Sequence, residues 1–203
     1  MQFLKNIEEI RARARQQIAS GAVTRDYKLD RAQAISILNE ALATELVCVL
    51  RYKFHYFMAT GIHSAGVAAE FLKHAQEEQG HADRIAKRIR QLGGKPEMNP
   101  AVIAKASHSD YQEGTSLADM IREDLVAERI AIETYREIIN YFGEQDPTSR
   151  LMMEEILTKE EEHADELADL LFAVEPHTNG APQRLYFGDE VPGQSDAGKN
   201  VGA

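Results

Sequence analysis

Two short stretches of the sequence each place a glutamate three residues before a histidine. These pairs are Glu78 with His81 and Glu160 with His163. Residues three apart share one face of a helix, so each pair would present an oxygen ligand beside a nitrogen ligand. Such ligands without thiolates suit iron or manganese better than a structural zinc ion. One pair alone would be weak evidence, because most Glu-x-x-His pairs lie on solvated helix faces.

Two further glutamates stand in the middle of apolar stripes at helical spacing. Glu45 follows Leu42, and Glu128 follows Leu125. Unpaired buried carboxylates are costly, and four of them in one layer would also repel each other. Two divalent cations would balance the four negative charges, and two neutral histidines would complete the ligand sets. The sequence therefore predicts a dinuclear metal site. Its ligands would be Glu45, Glu78, His81, Glu128, Glu160 and His163.

The ligand pattern is nearly duplicated along the chain. A tyrosine follows the first glutamate by seven residues in each half, as Tyr52 follows Glu45 and Tyr135 follows Glu128. The step from that glutamate to the Glu-x-x-His motif is 33 residues in the first half and 32 in the second. This repeat predicts two helical hairpins related by a quasi-two-fold axis, with the two metal half-sites facing each other.

Long helices must position these residues. Helix formers run without glycine or proline over 30–60, and Gly93-Gly94-Lys95-Pro96 ends the second helical stretch. Capping residues open the third and fourth stretches. The segment 97–114 has no clear period and is predicted to be a long connection. The predicted helices cover about 30–60, 65–92, 116–142 and 146–174.

The chain is predicted to be all-α, because no segment shows the two-residue alternation of a strand. Two short turns and one long connection favour an up-down-down-up bundle, in which the second helix crosses over to reach the third. Ahead of it, Phe3, Ile7, Ile10, Ala14 and Ile18 recur at helical spacing. This short amphipathic helix would dock on the bundle or on a neighbouring subunit; a membrane or partner helix is the alternative. The predicted organisation is an N-terminal amphipathic helix and linker at 1–29, a four-helix bundle at 30–174 and a flexible C-terminal tail at 175–203.

Charge and composition exclude several classes of protein. The chain has 23 lysines and arginines against 33 aspartates and glutamates, and a net charge of −10 argues against a nucleic-acid binder. No apolar run approaches the roughly 20 residues that cross a bilayer, and the charged N-terminus lacks the apolar core of a signal peptide. The single cysteine, Cys48, excludes a disulfide framework and a multi-cysteine zinc or rubredoxin site. We expect a soluble, cytoplasmic protein with no membrane and no nucleic-acid partner.

Other polar residues have less specific interpretations. His74 lies four residues before Glu78 on the same stripe, where it is either a core histidine or a partner of the metal ligands. Glu77 and Glu161 fall off the stripes and are expected to face solvent or the outer side of the site. His55 has no partner at helical spacing and is expected at the surface or in a loop.

At these motifs the sequence resembles the bacterioferritins, within the ferritin-like superfamily. The similar stretches are 38–40 leading to Glu45, 78–84, and 151–157 followed by Glu160 and His163. The resemblance covers roughly 34–171, which is most of the chain. It implies a ferritin-like four-helix bundle with one long crossover, preceded in this chain by a short N-terminal helix.

The resemblance also implies roles for individual residues in an intrasubunit ferroxidase centre. Tyr52 matches a tyrosine beside that centre, where it can donate a hydrogen bond or an electron during catalysis; an ordinary core tyrosine is the alternative. The terminal ligands would be Glu45, Glu160, His81 and His163, and the bridging ligands Glu78 and Glu128.

The activity implied by the resemblance is iron storage or detoxification. Fe(II) would be oxidised by O2 or H2O2 at two iron ions per subunit, with manganese or zinc as substitutes, and the mineral would lie in a homo-oligomeric cage. Gln79 stands where the family has its haem-ligating methionine, which argues against haem, although Met58 and Met98 remain candidates by spacing. The tail of this chain is not predicted to form the short fifth helix found in 24-subunit shells. Together with the long connection and the added N-terminal helix, this leaves three alternatives: a shell of 12 copies, a shell of 24 copies or no shell.

Two other classes of function stay open. A rubrerythrin-like peroxidase, a manganese-catalase-like enzyme or a small oxygenase would use a similar di-metal site, but rubrerythrins usually carry a further glutamate where this chain has Ala131. A Dps-like stress protection protein would build its iron site between subunits and often carry a lysine-rich tail. Here the tail has only Arg184 and Lys199 as cations.

Overall fold

The computed structural model of the chain describes residues 6–62 and 64–175, and the regular structure within these ranges is helical. The all-α class expected from the sequence is confirmed. Phe3 and the tail segment 176–203, on which two sequence predictions fall, lie outside the described residues. The helices are α1 (Ile7–Gln16), α2 (Arg31–Met58), α3 (Ser64–Gln91), α4 (Pro100–Ala106), α5 (Leu117–Phe142) and α6 (Pro147–Val174), with a 3-10 turn at Ile18–Ser20.

Capping side chains set the first residues of the long helices. Asp30 accepts hydrogen bonds from the backbone N–H groups of Ala32 at 2.8 Å and Gln33 at 3.1 Å, ahead of α2. Asp146 likewise accepts from the backbone N–H of Ser149 at 2.9 Å, ahead of α6. These bonds satisfy donors at a helix start that have no partner within the helix. The helices therefore begin close to where the capping residues in the sequence predicted.

The long connection differs from the sequence expectation because it contains a helix, α4. Asn99 caps its N-terminus and Pro100 occupies its first position, the same cap-and-proline arrangement that opens α6. Ile103 packs against Ala43 and Val47 of α2. Two helical turns are too short to show a period in the sequence, but the Asn-Pro pair was a signal that could have found this helix.

A buried charged cluster fixes the remainder of the crossover to the bundle. Arg51 Nε donates to Asp124 Oδ1 at 2.8 Å, and His55 Nδ1 lies 2.8 Å from Asp124 Oδ2. Arg51 Nη1 also donates to the backbone carbonyl of Asp110 at 3.0 Å, and His55 Nε2 lies 3.2 Å from that of Gln112. His55 is fully buried, so its expected place at the surface is wrong. Helical spacing in the sequence could not identify the partner of His55, because Asp124 lies on another helix.

The four long helices pack as two hairpins, α2 with α3 and α5 with α6. Their inward side chains form two apolar clusters. One includes Leu38 and Phe142, and the other includes Phe71 and Leu167. Along every long helix the predicted metal ligands fall between residues of the first cluster and residues of the second. The carboxylates and imidazoles therefore form a polar layer enclosed between two apolar ones.

Helix α2 is long and apolar enough, by length and composition, to span a membrane. More than half of its apolar window is buried inside the protein, and α3, α4 and α5 all pack against it. A bundle helix covered on several sides needs apolar residues around most of its circumference. The expectation that no stretch approaches this length is therefore corrected for α2, and its burial in the bundle accounts for its hydropathy.

The carboxylate of Asp146 joins three parts of the chain at one end of the bundle. It accepts hydrogen bonds from Arg88 Nη2 at 2.8 and 3.0 Å, from Ser149 Oγ at 2.7 Å and from the Tyr27 hydroxyl at 3.1 Å. Burial alone would raise the pKa of Asp146, but the bonds from Ser149 and Arg88 outweigh it and lower the pKa. The stabilising contribution is therefore present above about pH 4 and is lost as the pH falls below that value.

We expect Asp146→Ala to lower the free energy of unfolding by about 3 kcal/mol, because it leaves the buried Arg88 guanidinium without its counter-charge. Denaturant unfolding at pH 7, followed by circular dichroism, measures this change. The matched control is Glu144→Ala, an exposed carboxylate two residues earlier, for which a change of less than about 0.5 kcal/mol is expected. Equal stability of the two variants would contradict the prediction.

Candidate metal centre

The structure brings all the predicted ligands together between the apolar clusters. The four glutamates and His163 are each 1% exposed, and His81 is 5% exposed. Their oxygen and nitrogen atoms form two groups, and the atoms of each group lie within 4.8 Å of one another. One group is Glu45, Glu78, His81 and Glu160; the other is Glu78, Glu128, Glu160 and His163.

Two carboxylates are shared by the two groups, and they are Glu78 and Glu160. The resemblance to bacterioferritins instead led us to expect Glu78 and Glu128 in the shared positions. The observed pair follows the quasi-two-fold repeat, because Glu78 and Glu160 are the equivalent glutamates of the two Glu-x-x-His motifs. Glu160, rather than Glu128, therefore shares with Glu78 the position common to the two groups.

Several ligand atoms are buried without a hydrogen-bond partner among the described residues: Glu45 Oε2, Glu78 Oε1, His81 Nδ1, Glu160 Oε1 and His163 Nδ1. His81 Nδ1 lies 2.9 Å from Glu160 Oε1, and His163 Nδ1 lies 3.0 Å from Glu78 Oε1, yet neither pair has hydrogen-bond geometry. Buried polar atoms rarely stay unpaired in this way. These oxygen and nitrogen atoms converge on one another without forming hydrogen bonds. Such an arrangement is typical of a site that binds cations.

Four carboxylates in one apolar layer perturb each other's ionisation. Burial, followed by repulsion from Glu78 and Glu160, raises the pKa values of Glu45 and Glu128 well above the ordinary value. Burial alone would lower the pKa of His163, but the carboxylates of Glu160 and Glu78 outweigh it and raise the pKa to about 11. In the absence of a cation, the layer balances its charges by holding protons. Two divalent cations would replace those protons.

Two tyrosines connect the halves of the site. Tyr52 donates a hydrogen bond to Glu128, and Tyr135 donates one to Glu45. Each tyrosine therefore binds the glutamate of the opposite half, so the repeat seen in the sequence becomes a crossed pair in the structure. Hydrogen bonds of this kind fix the orientation of a ligating carboxylate.

A second set of contacts lies outside the ligands, between α3 and α6. Glu77 Oε2 is 2.8 Å from His163 Nε2, so Glu77 lies on the outer side of the site, one of its two expected positions. His74 is buried and stacks on His163 at 4.1 Å, with Nδ1 3.3 Å from the Tyr52 hydroxyl. Its Nε2 lies 2.8 Å from Glu166 Oε2. Glu166 was not among the residues predicted from the sequence, although its position three residues after His163 could have revealed it.

Comparison with known proteins agrees with this architecture. The ferritin-like domain family matches residues 35–175. The bacterioferritin of Rhodobacter capsulatus is 31% identical over 135 residues, which are 66% of this chain and 80% of that protein. Its solved structure, described with a metal-free dinuclear site and a haem iron, is 30% identical with a TM-score of 0.62, covering 72% of this chain and 87% of that one.

Two further relatives are a thioferritin and a DNA protection during starvation protein. A dodecameric thioferritin, the bacterioferritin-related protein of Bacteroides fragilis, is 34% identical with a TM-score of 0.70 and covers 72% of this chain and 89% of that one. A DNA protection during starvation protein from Pyrococcus furiosus is 27% identical over 147 residues, which are 70% of this chain and 79% of that protein. The fold, the extent of the family match and the bacterioferritin identities agree, and the chain belongs to the ferritin-like family.

Proposed function

We propose that the protein is a ferroxidase that stores or detoxifies iron, oxidising Fe(II) to Fe(III) with O2 or H2O2 at a di-iron centre inside each subunit. One observation carries the proposal. Four buried carboxylates and two buried imidazoles form two overlapping groups of ligand atoms, and several of those atoms lack hydrogen-bond partners among the described residues. The R. capsulatus bacterioferritin, which has a dinuclear site by its description, supports the assignment.

Fe(II) is the substrate, and two bound iron ions would supply the electrons that reduce the oxidant. The chain supplies the rest. Glu78 and Glu160 lie in both groups and would help to hold both ions. His81 and His163 would bind through Nδ1, and Glu77 holds the other nitrogen of the His163 ring. The apolar clusters lie on both sides of the layer and keep its side chains buried.

Storage of a mineral needs a shell, so the proposal includes a homo-oligomeric cage of 12 or 24 copies. The description of the B. fragilis protein as dodecameric supports the smaller size. The net charge of −10 favours the concentration of cations at the walls and pores of such a shell. Haem is not part of the proposal, because Gln79, at the position of the haem-ligating methionine, has an amide in place of a thioether sulfur. A cytoplasmic location remains a prediction.

Size-exclusion chromatography with light scattering, with iron content read on the same peak, tests the proposal directly. We expect a particle of 12 or 24 chains that binds at least two irons per chain and consumes oxygen when Fe(II) is added. A dimer that holds two metals per chain and decomposes peroxide would instead favour the rubrerythrin-like or manganese-catalase-like enzyme. A particle that neither binds nor oxidises Fe(II) would contradict the proposal.

Stress protection of the Dps kind is a second candidate, favoured by the similarity to the P. furiosus protein. The candidate ligands of this chain come together within a single chain, which favours the bacterioferritin-like candidate. Gel-shift assays with duplex DNA at low and physiological salt distinguish the two functions. A complex that survives physiological salt would favour the Dps-like candidate.

The matched tyrosine pair gives a test of the role of Tyr52. We expect Tyr52→Phe to leave the number of bound metals unchanged and to lower the rate of Fe(II) oxidation by about tenfold, because Glu128 loses its hydrogen bond. Tyr135→Phe removes the equivalent bond to Glu45 and is the control. Equal losses in stopped-flow oxidation would mean that both tyrosines only orient carboxylates. A larger loss in Tyr52→Phe would assign the electron-donating role to Tyr52.

A further inference from the structure

Helix α1 is amphipathic but does not pack into its own bundle. Ile7, Ile10 and Ala14 lie on one face at spacings of three and four, and no residue of α1 is buried. Ile7 is 49% exposed, and Ile18, in the following turn, is 86% exposed. An isolated helix of ten residues is marginal in water, so α1 needs a partner that covers its apolar face. Docking on its own bundle, one of the two predicted arrangements, is not what the structure shows.

A groove of about 710 Å³ lies between α1 and the linker that follows it. Ile10, Ile18 and Val23 line it with apolar surface. Its charged lining residues are two arginines and one carboxylate, so the groove carries a net positive charge: Arg13, Arg25 and Asp26. The linker wall is fixed, because Val23, Tyr27 and Leu29 pack against the bundle core. Such a groove fits a segment in which large apolar side chains stand next to carboxylates.

The chain contains a segment of this kind in the part that the structure does not describe. Leu185, Tyr186 and Phe187 are followed by Gly188 and then by two carboxylates and a valine, with no cation among these seven residues. We propose that the groove beside α1 binds the segment 185–191 of a second copy of the chain. The three large apolar side chains cover the isoleucines of α1, and Asp189 and Glu190 pair with Arg13 and Arg25.

The length of the chain explains why the segment comes from a second copy. Tyr27 of the linker bonds Asp146 at the start of α6, so the groove lies at the end of the bundle where α6 begins. Helix α6 has 28 residues and therefore ends about 42 Å away. The ten residues from Glu175 to Leu185 span at most about 36 Å when fully extended. An extended chain falls short of its own groove by about 6 Å, which favours the segment of a neighbouring copy in an assembly.

The proposal rests on the proposed homo-oligomer for a neighbouring copy, but it does not depend on metal chemistry. Its test is the double variant Ala14→Cys with Gly188→Cys, oxidised mildly and run on a non-reducing denaturing gel. We expect covalent dimers and longer ladders, because every chain carries one groove and one tail. The native Cys48 is 3% exposed and is present in every sample.

Two controls make the result specific. Ala14→Cys with Gly202→Cys places the second thiol at the far end of the same tail and is expected to give little product. Adding Arg13→Glu and Arg25→Glu to the test variant should lower the yield of ladder by about tenfold, since two attractive pairs become repulsive.

Other outcomes would overturn the docking proposal without touching the ferroxidase. A cross-linked monomer would place each tail in its own groove, and equal yields in both cysteine pairs would mean non-specific tail contacts. If no ladder forms while the protein binds vesicles of phosphatidylglycerol through α1, the groove serves a lipid surface. In each case light scattering and Fe(II) oxidation are measured on the same sample, so loss of the oligomer or of the activity is seen separately.

Discussion

Glu160→Gln is expected to lower the initial rate of Fe(II) oxidation by at least about 100-fold, because loss of residues outside the ligand set already costs about 10- to 100-fold in metal sites. Glu160 belongs to both groups of ligand atoms, so the change weakens both half-sites at once. The amide has the shape of the carboxylate, and the helix is expected to remain intact. Stopped-flow absorbance of Fe(III) formation measures the rate.

The neighbouring residue provides the control for this prediction. Glu161 is exposed and pairs with Arg136 at the surface, 2.6 Å away. Glu161→Gln changes the net charge in the same way but leaves the buried layer untouched, and its rate is expected to equal that of the wild type. If Glu160→Gln also oxidises Fe(II) at the wild-type rate, the proposed ligand set is wrong.

Metal loading is expected to raise the unfolding temperature by more than about 10 °C. A ligand at about 1,000 times its dissociation constant contributes about 4 kcal/mol per site, and a domain of this size gains about 2–4 °C per kcal/mol. The physical reason is local, since two bound cations would pair with buried carboxylates whose charges are otherwise balanced only by protons. Scanning calorimetry with Co(II), which avoids oxidation by dioxygen, measures the shift at a fixed protein concentration.

The variant Glu160→Gln separates this explanation from general ion binding. Its unfolding temperature without metal is measured first and serves as the reference for the gain. With Co(II) the variant is expected to lose most of the gain in unfolding temperature. An equal gain in the variant and the wild type would show that Co(II) binds elsewhere on the acidic surface.

Much of the candidate site could be read along single helices. A carboxylate in the middle of an apolar stripe must be buried when the helix packs, and a buried carboxylate needs a counter-charge. Glu45, Glu78, Glu128 and Glu160 could therefore be predicted as candidate ligands before any distance was known. The caps at Asp30 and Asp146 act within one turn of the chain, so the helix starts near them were predictable as well.

The tertiary structure decided what depends on distances between helices. Glu160 rather than Glu128 joins Glu78 in both groups, and Tyr52 binds the glutamate of the opposite half. Helical spacing reports which side chains share a face of one helix, but it does not report which atoms meet across the bundle. The pairing of His55 with Asp124 is of the same kind, since the two residues are 69 positions apart.

For the N-terminal helix, too, the sequence predicted one property and the tertiary structure decided another. Its apolar spacing was visible in the sequence and predicted an amphipathic helix, but only the structure shows that the bundle leaves this face uncovered. The sequence by itself thus determined the four long helices, the buried carboxylates between the apolar clusters and the kinds of candidate ligand, because these depend on residue type and local spacing. The tertiary structure alone decided which carboxylates are shared and which surface is left for a partner, because these depend on how the helices pack.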